Sequence, residues 1–173
     1  DPDIVLFQEA YDDHELLHTY FAEWNVIRES NHLVASRFPI RLLGKCHSKP
    51  FDRVTSICVE VKTPHGIVHA YSVHQTSQRE TLTAVRPWSV ITGNGVEELE
   101  SETLLRDLEA AETRTFINEG DPQYPTIYAG DFNMTRESSL YRTHWGDLPN
   151  AFDEGGWGYG YTGLNRTRRF WPE

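Results

Sequence analysis

The chain has 173 residues, of which 38% are hydrophobic and 24% charged, and this composition excludes a disordered or collagen-like protein. Its 26 acidic residues outnumber the 16 basic ones and give a net charge of −10, which disfavours a protein that only coats nucleic acid. No apolar run approaches the roughly 20 residues that a membrane-spanning helix needs, and two cysteines are too few for a disulfide framework.

The first predicted elements alternate between strand and helix. Residues 4–8 form a short apolar run that is typical of a strand buried on both faces. The helical spacing of leucine and aromatic residues then predicts an amphipathic helix near 13–24. Asp12, three residues before Glu15, resembles a capping box for this helix. A further short strand is predicted over 33–36.

The middle of the chain predicts a hairpin followed by one long helix. Residues 54–61 and 67–74 are strand candidates rich in Val and Ile, and the turn sequence Pro-His-Gly joins them. A helix is predicted from about 97 to 118, with an inner face of Leu104, Leu105, Leu108, Ala111 and Ile117. Seven of the 26 acidic residues lie on this helix, which predicts a solvated acidic face with little bearing on an active site.

The last part of the chain predicts one more short strand, at 126–129, and a loop rich in glycine and aromatic residues from 154 onward. Because no repeat, heptad pattern or linker is visible, the sequence indicates a single α/β domain over 1–173. The chain runs into an apolar strand within three residues of its start and stops as abruptly at Phe-Trp-Pro-Glu, and we expect it to be a piece of a longer protein.

Polar side chains follow three of the predicted strands, and ligand sites form at such strand ends in open α/β folds. Glu9 follows the first strand, and His74 ends the second strand of the hairpin. Asp131 and Asn133 follow Gly130 at the end of the last strand, where they can face the same side. Each has a structural alternative: a helix cap or loop charge for Glu9, a structural role for His74, and an Asx turn for Gly-Asp-Phe-Asn.

In this order, the segments resemble the endonuclease/exonuclease/phosphatase superfamily of metal-dependent phosphoesterases. The matching segments cover nearly the whole chain, and they are residues 2–9, 36–40, 72–74 and 129–133. The Gln-Glu and Gly-Asp-Phe-Asn pieces are the most specific. The resemblance implies a four-layer α/β/β/α sandwich of two mixed sheets with helices outside, incomplete at both ends.

The resemblance also implies a role for each candidate residue. Glu9 matches the carboxylate that binds magnesium, and His74 matches the histidine that hydrogen-bonds the scissile phosphate. Asp131 matches the aspartate that orients or deprotonates the attacking water, and Asn133 matches the amide that holds a phosphate oxygen. The resemblance implies Mg²⁺ as the cofactor, with Mn²⁺ as a possible substitute. Mg²⁺ prefers hard oxygen ligands and keeps several waters, so one or two carboxylates can suffice to bind it.

Two parts of the family pattern are not found in the sequence. The family's first strand, which carries an Asn that helps the metal site, would precede Asp1. Its Asp-bearing strand and Ser-Asp-His segment would follow Thr162. We therefore expect a fragment that is nearly inactive by itself and whose unpaired strands favour self-association.

The activity implied by the resemblance is Mg²⁺-dependent hydrolysis of a phosphoester, with a phosphodiester favoured. The acidic charge favours a small or lipid-linked phosphate ester as the substrate. Two alternatives stay open, namely a DNA or RNA nuclease of the same superfamily and a non-catalytic binding module with the same fold. The sequence identifies neither the residues that bind the substrate nor the cellular compartment.

Overall fold

The computed structural model of the chain describes residues 1–11, 15–77 and 94–157, with residues 94–99 described by their backbone alone. The strands in these residues are β1 (Ile4–Phe7), β2 (Asn25–Glu29), β3 (His32–Ser36), β4 (Ile40–Ser48), β5 (Arg53–Thr63), β6 (Gly66–His74) and β7 (Thr126–Asp131). Their helices are α1 (Glu15–Tyr20), α2 (Asn94–Asn118), α3 (Ser139–His144) and α4 (Ala151–Gly155). None of these helices combines the length and apolar character that crossing a membrane requires.

The described strands form two sheets. The first has the order β1-β3-β2 and is antiparallel, and the second has the order β4-β5-β6-β7. In the second sheet, β4, β5 and β6 are antiparallel neighbours, whereas β6 and β7 run parallel, so this sheet is mixed as predicted. The predicted hairpin is confirmed, because Thr63 pairs with Gly66 across the turn between β5 and β6.

The two sheets face each other across an apolar core, and helices cover their outer faces. On β1, Leu6 packs into the core between the sheets, while Phe7 packs with α1 on the opposite face, as the alternation of a strand requires. On the outer face of the second sheet, Val73 belongs to one apolar cluster with Ile117 of α2. The predicted four-layer α/β/β/α arrangement is confirmed. The buried residues between the sheets are Val34, Val54, Ile57, Val59, Val61 and Ala70.

Four elements, β2, β4, α3 and α4, are not predicted by the sequence pattern. The pairing of β4 with β5 is interrupted by β-bulges near Gly44 and near Cys46, and a bulge breaks the period of two that identifies a strand. In β2 every side chain is exposed or half-buried, so hydrophobic alternation is weak there. Part of α4 occupies the beginning of the predicted loop from 154, and the rest of that loop beyond 157 lies outside the described residues.

The first helix is shorter than predicted. It covers Glu15–Tyr20 instead of 13–24, and the proposed capping residue Asp12 lies outside the described residues. The residues after Tyr20 form turns, and they bury Phe21 in a cluster with Leu33 of β3. The aromatic spacing therefore reflects packing on the sheet as well as a helical period.

The long helix is confirmed as α2, but its predicted inner face is only partly right: Ile117 is buried and Leu105 and Ala111 are half-buried. Leu104 and Leu108 are 58% and 45% exposed. The prediction that the acidic residues of α2 are solvated is wrong for Glu109, which is 1% exposed. Apolar periodicity does not identify the buried face of α2, because that face carries polar side chains. These side chains form hydrogen bonds with backbone groups of the segments after β6 and β7, which no longer pair within the sheet. The buried residues of α2 include Arg106, Glu109, Ala110, Thr113 and Ile117.

Gly130 allows β7 to approach β6 closely. Its φ is +148°, and a Cβ at this position would lie 1.9 Å from the backbone oxygen of Val73. We expect Gly130→Ala to lower the free energy of unfolding by about 2–4 kcal/mol, because strain and overlap with backbone add together. Urea unfolding measures this change. Gly155→Ala is the control, since a Cβ on Gly155 meets no atom within 4 Å, and equal losses in both variants would contradict the prediction.

Candidate functional site

The carboxyl ends of three strands meet at one edge of the sandwich and bring the predicted site residues together. His74 is the last residue of β6 and pairs in register with Asp131, the last residue of β7. The Oε1 atom of Glu9, two residues after β1, lies 3.8 Å from Nε2 of His74. Asn133 joins the group through its backbone N–H, which donates to Oδ1 of Asp131 at 2.9 Å. The catalytic and metal-binding roles of these four residues stay predictions.

Two of the four residues have left-handed backbone conformations. Glu9 has φ 58° and Asn133 has φ 49°, a region that costs non-glycine residues about 1–3 kcal/mol. Hydrogen bonds next to them hold these conformations: the N–H of Ala10 donates to the carbonyl of Asn31 at 2.9 Å, and Asp131 holds the N–H of Asn133. Such conformations concentrate at functional sites, where the surrounding structure fixes a side chain in one direction.

His74 is 4% exposed, and its neighbours determine which ring nitrogen carries the proton. Two donor groups lie against Nδ1, the side-chain amide of Asn31 at 2.6 Å and the guanidinium of Arg53 at 2.8 Å. Because both partners donate, Nδ1 acts as the acceptor and the ring proton resides on Nε2. Nε2 is the nitrogen that faces Glu9, so His74 presents an N–H donor toward the mouth of the site.

A buried polar group behind His74 links the two sheets. Gln8 donates through Nε2 to Oγ of Ser72 at 3.0 Å, and this hydroxyl in turn lies 2.9 Å from Nδ1 of His32. Since Ser72 accepts from Gln8, it has its proton free to donate to His32. The pKa of His32 is lowered to about 4, mainly by burial and to a smaller extent by the nearby His74 and Arg53. His32 is therefore neutral at pH 7.

Asp131 and Asn133 form the Asx turn that the sequence offered as the structural alternative. Asp131 is exposed, and one of its carboxylate oxygens accepts the N–H of Asn133. The side-chain amide of Asn133 donates to the carbonyl of Gln75 at 2.8 Å, which fixes the orientation of that amide. A structural and a functional role are compatible here, because the turn aims both side chains at the strand ends.

Several residues around the site are not predicted from the sequence. Asn31 and Arg53 reach His74 from other strands and turns, and no local motif marks them. Glu109 of α2 accepts from both the N–H and the hydroxyl of Thr76, at 2.7 and 2.9 Å. Arg106 donates to the backbone oxygens of Thr76 and Asn133. Burial raises the pKa of Glu109, while its bonds to Thr76 oppose this shift.

The donor set at the mouth determines how a divalent cation would fit. The side chain of Glu9 is 68% exposed, and Asp131 is also exposed, so both offer hard carboxylate oxygens to solvent. Within the described ranges, no group of three or more His, Cys, Asp and Glu side chains converges on one point. Such a donor set fits Mg²⁺ that keeps most of its waters, and it does not fit a closed protein cage.

Solved structures match this fold, although no protein-family model and no curated protein sequence matches the chain. A humanized TDP2 of D. rerio matches with a TM-score of 0.57 at 14% identity, over 83% of this chain and 54% of that chain. SmcL matches with a TM-score of 0.57 at 15% identity, over 83% and 55%. Sphingomyelinase C from Streptomyces griseocarneus matches with a TM-score of 0.53 at 16% identity, over 85% and 57%.

These structures are deoxyribonuclease I-like folds of the superfamily that the motifs resemble. The chain has the deoxyribonuclease-like fold. It spans little more than half the length of the matched structures, between 54% and 57% of the three chains named here. At 14–16% identity the likeness establishes the fold, while the activity has to be inferred from the site.

The buried His32 makes the stability of the fold sensitive to acid. Its pKa is about 4 in the folded chain against 6.5 for an ordinary histidine, so the unfolded state binds a proton first as the pH falls. We expect this histidine to lower the free energy of unfolding by up to about 3 kcal/mol as the pH falls from 6.5 to about 4, with no effect above pH 7.

Urea unfolding of the wild type and of His32→Gln across this pH range measures the effect. The variant is expected to lose this part of the pH dependence, whatever its stability at pH 7. His65→Gln, at the exposed turn between β5 and β6, is the control and should keep the wild-type dependence. An unchanged pH dependence in His32→Gln would show that another group causes the acid sensitivity.

Proposed function

We propose that this chain belongs to a Mg²⁺-dependent phosphoesterase that hydrolyses a phosphodiester in a small or lipid-linked substrate. The observation that carries the proposal is the convergence of three strand ends, which brings Glu9 within 3.8 Å of His74 and pairs His74 with Asp131. The likeness to sphingomyelinase C, which acts on a lipid as its name states, supports a lipid-linked substrate. The net charge of −10 favours such a substrate over a nucleic acid.

Each residue has a role that its geometry supports. Glu9 would hold the cation, which neutralises charge on the phosphoryl and leaving oxygens when it is bound. His74 donates from Nε2 to a phosphate oxygen, since its Nδ1 already accepts from Asn31 and Arg53. Asp131, one carboxylate oxygen of which is held by the N–H of Asn133, orients the attacking water with the other.

Asn133 supplies a further donor to the developing charge. One N–H of its amide is used on the carbonyl of Gln75, and this bond sets the direction of the second N–H. A donor that is fixed before the reaction stabilises an oxyanion without the cost of reorganisation. Asn133 and His74 therefore act from neighbouring strand ends on the same phosphate.

The role of Glu9 can be tested on this chain without an activity assay. We expect calorimetric titration with Mn²⁺ to show that Glu9→Gln weakens binding at least about tenfold, because the amide loses the charge that attracts a hard cation. Glu23→Gln removes an exposed carboxylate from the turn after α1 and should bind Mn²⁺ like the wild type. Equal affinity of Glu9→Gln and the wild type would remove Glu9 from the site.

The roles of His74 and Asn133 require a catalytic assay of the full-length protein. We expect His74→Ala or Asn133→Ala to lower kcat by about 10²–10³, the range for losing one preorganised donor. Hydrolysis of bis(p-nitrophenyl) phosphate gives the rate, and His65→Ala is the exposed histidine control. Sphingomyelin vesicles and a single-stranded oligonucleotide, assayed side by side, separate the lipid-linked substrate from the nuclease alternative. A variant with full rate would show that its residue takes no part.

Unpaired strand edges support the further proposal that this chain associates with itself. In the described residues, β1 pairs with β3 alone and β7 pairs with β6 alone, and unpaired edges bind other strands. Ile127 on β7 is 50% exposed, so we expect Ile127→Lys to reduce the mass measured by light scattering. Leu104→Lys places the same charge on exposed α2 and should leave the mass unchanged. A monomeric wild type at high concentration would contradict self-association.

A further inference from the structure

We propose that Arg106 and Glu109 of α2 are positioning residues, which hold the segments after β6 and β7 so that His74 and Asn133 act on one phosphate. The two residues are one helical turn apart, and both are buried, at 6% and 1% exposure. The inference goes beyond the proposed function, because it assigns part of the site geometry to a helix on the outer face of the sheet. The effects on kcat that it predicts rest on the proposed phosphoesterase function.

Glu109 fixes the segment that follows His74. Both of its carboxylate oxygens accept from the same residue, Thr76, one from the backbone N–H at 2.7 Å and one from the hydroxyl at 2.9 Å. Two charge-assisted hydrogen bonds to one residue determine its position and its direction. Thr76 is two residues beyond His74, so the end of β6 is tied to α2.

Arg106 connects this segment to the one that follows Asp131. Its Nε donates to the carbonyl of Thr76 at 3.0 Å, and its Nη2 donates to the carbonyl of Asn133 at 2.9 Å. Because the guanidinium is planar and rigid, it sets the distance between these two carbonyls. The bond from the Asn133 amide to the carbonyl of Gln75 closes the same loop at 2.8 Å.

The sheet alone does not provide this positioning. The backbone pairing of β6 with β7 ends close to His74 and Asp131, where the N–H of Gln75 donates to the carbonyl of Asp131. Beyond that bond, the carbonyl of Asn133 is held by Arg106, and its left-handed backbone is held on the other side by Asp131. A displacement of about 1 Å at a catalytic group can cost about 10² in rate.

The test uses variants that keep a polar side chain of similar size at each buried position, since removing the side chain altogether would leave a cavity and weaken folding. Arg106→Lys keeps the charge but cannot reach both carbonyls, whereas Glu109→Asp keeps the charge but is too short to reach Thr76. Glu109→Gln loses the charge but keeps the reach, because its amide can accept the N–H of Thr76 and donate to the hydroxyl. If Glu109 acts by positioning Thr76, Gln at position 109 should preserve kcat, whereas Asp should not.

In the full-length protein, we expect Arg106→Lys and Glu109→Asp to lower kcat on bis(p-nitrophenyl) phosphate by about 10–10², with KM changed by less than about twofold. Glu109→Gln should stay within about threefold of the wild-type kcat. The control is Arg114→Lys, on the same helix, where the guanidinium bonds Asp147 at 2.6 Å instead of the site. It should leave kcat unchanged.

Hydrogen exchange gives a readout that needs no activity. In Arg106→Lys, we expect the backbone amides of Thr76 and Asn133 to exchange at least about tenfold faster, while those of Val34 and Val59 in the core keep their protection. Unchanged exchange at Thr76 and Asn133 overturns the proposal, and so does an unchanged kcat in an active protein. Equal acceleration in the core also overturns it, because the residues would then act on overall stability.

The two measurements separate this inference from the proposed function. If the protein hydrolyses no phosphodiester but Thr76 and Asn133 lose protection as expected, the proposed function fails and the positioning of the two segments stands. If the wild type is active and Asp substitutes for Glu109 as well as Gln does, the function stands and the positioning role of Glu109 fails.

Discussion

The parallel pairing of β6 with β7 is the interaction on which the candidate site depends. It sets His74 beside Asp131, and it is possible only because Gly130 has no side chain to meet the backbone oxygen of Val73. The other two candidate residues are placed relative to this pair. Glu9 reaches it from the facing sheet, and Asn133 reaches it through a turn.

The parts of the fold that local sequence determines could be predicted, and the parts that distant contacts determine could not. The β5–β6 hairpin follows from its turn residues, and the gathering of Glu9, His74 and Asp131 follows from the rule that strand ends share an edge. The inner face of α2 does not follow from its own sequence. Glu109 is buried because Thr76, 33 residues away along the chain, needs an acceptor for its N–H.

Overall charge gives little information about the electrostatics of this site. The chain carries a net charge of −10, yet the guanidinium of Arg53 contacts His74 directly, and burial keeps His32 neutral. The carboxylate of Glu9 lies at the solvent-exposed side of the site. At this site a cation, Arg53, thus lies behind His74 and a carboxylate, Glu9, lies at the exposed side, while the buried carboxylate of Glu109 lies on α2 with the buried Arg106.

The hydrogen bonds that cross between the sheets near the site have a mechanical consequence. Apolar packing has no direction, so an interface made only of residues such as Val34 and Val59 would allow the sheets to rotate slightly against each other. The directional bonds from Gln8 to Ser72 and from Asn31 to His74 permit a single alignment. They fasten the two sheets to each other at the end of the sandwich where the candidate site lies, so the relative orientation of the sheets and the geometry of the site are set together.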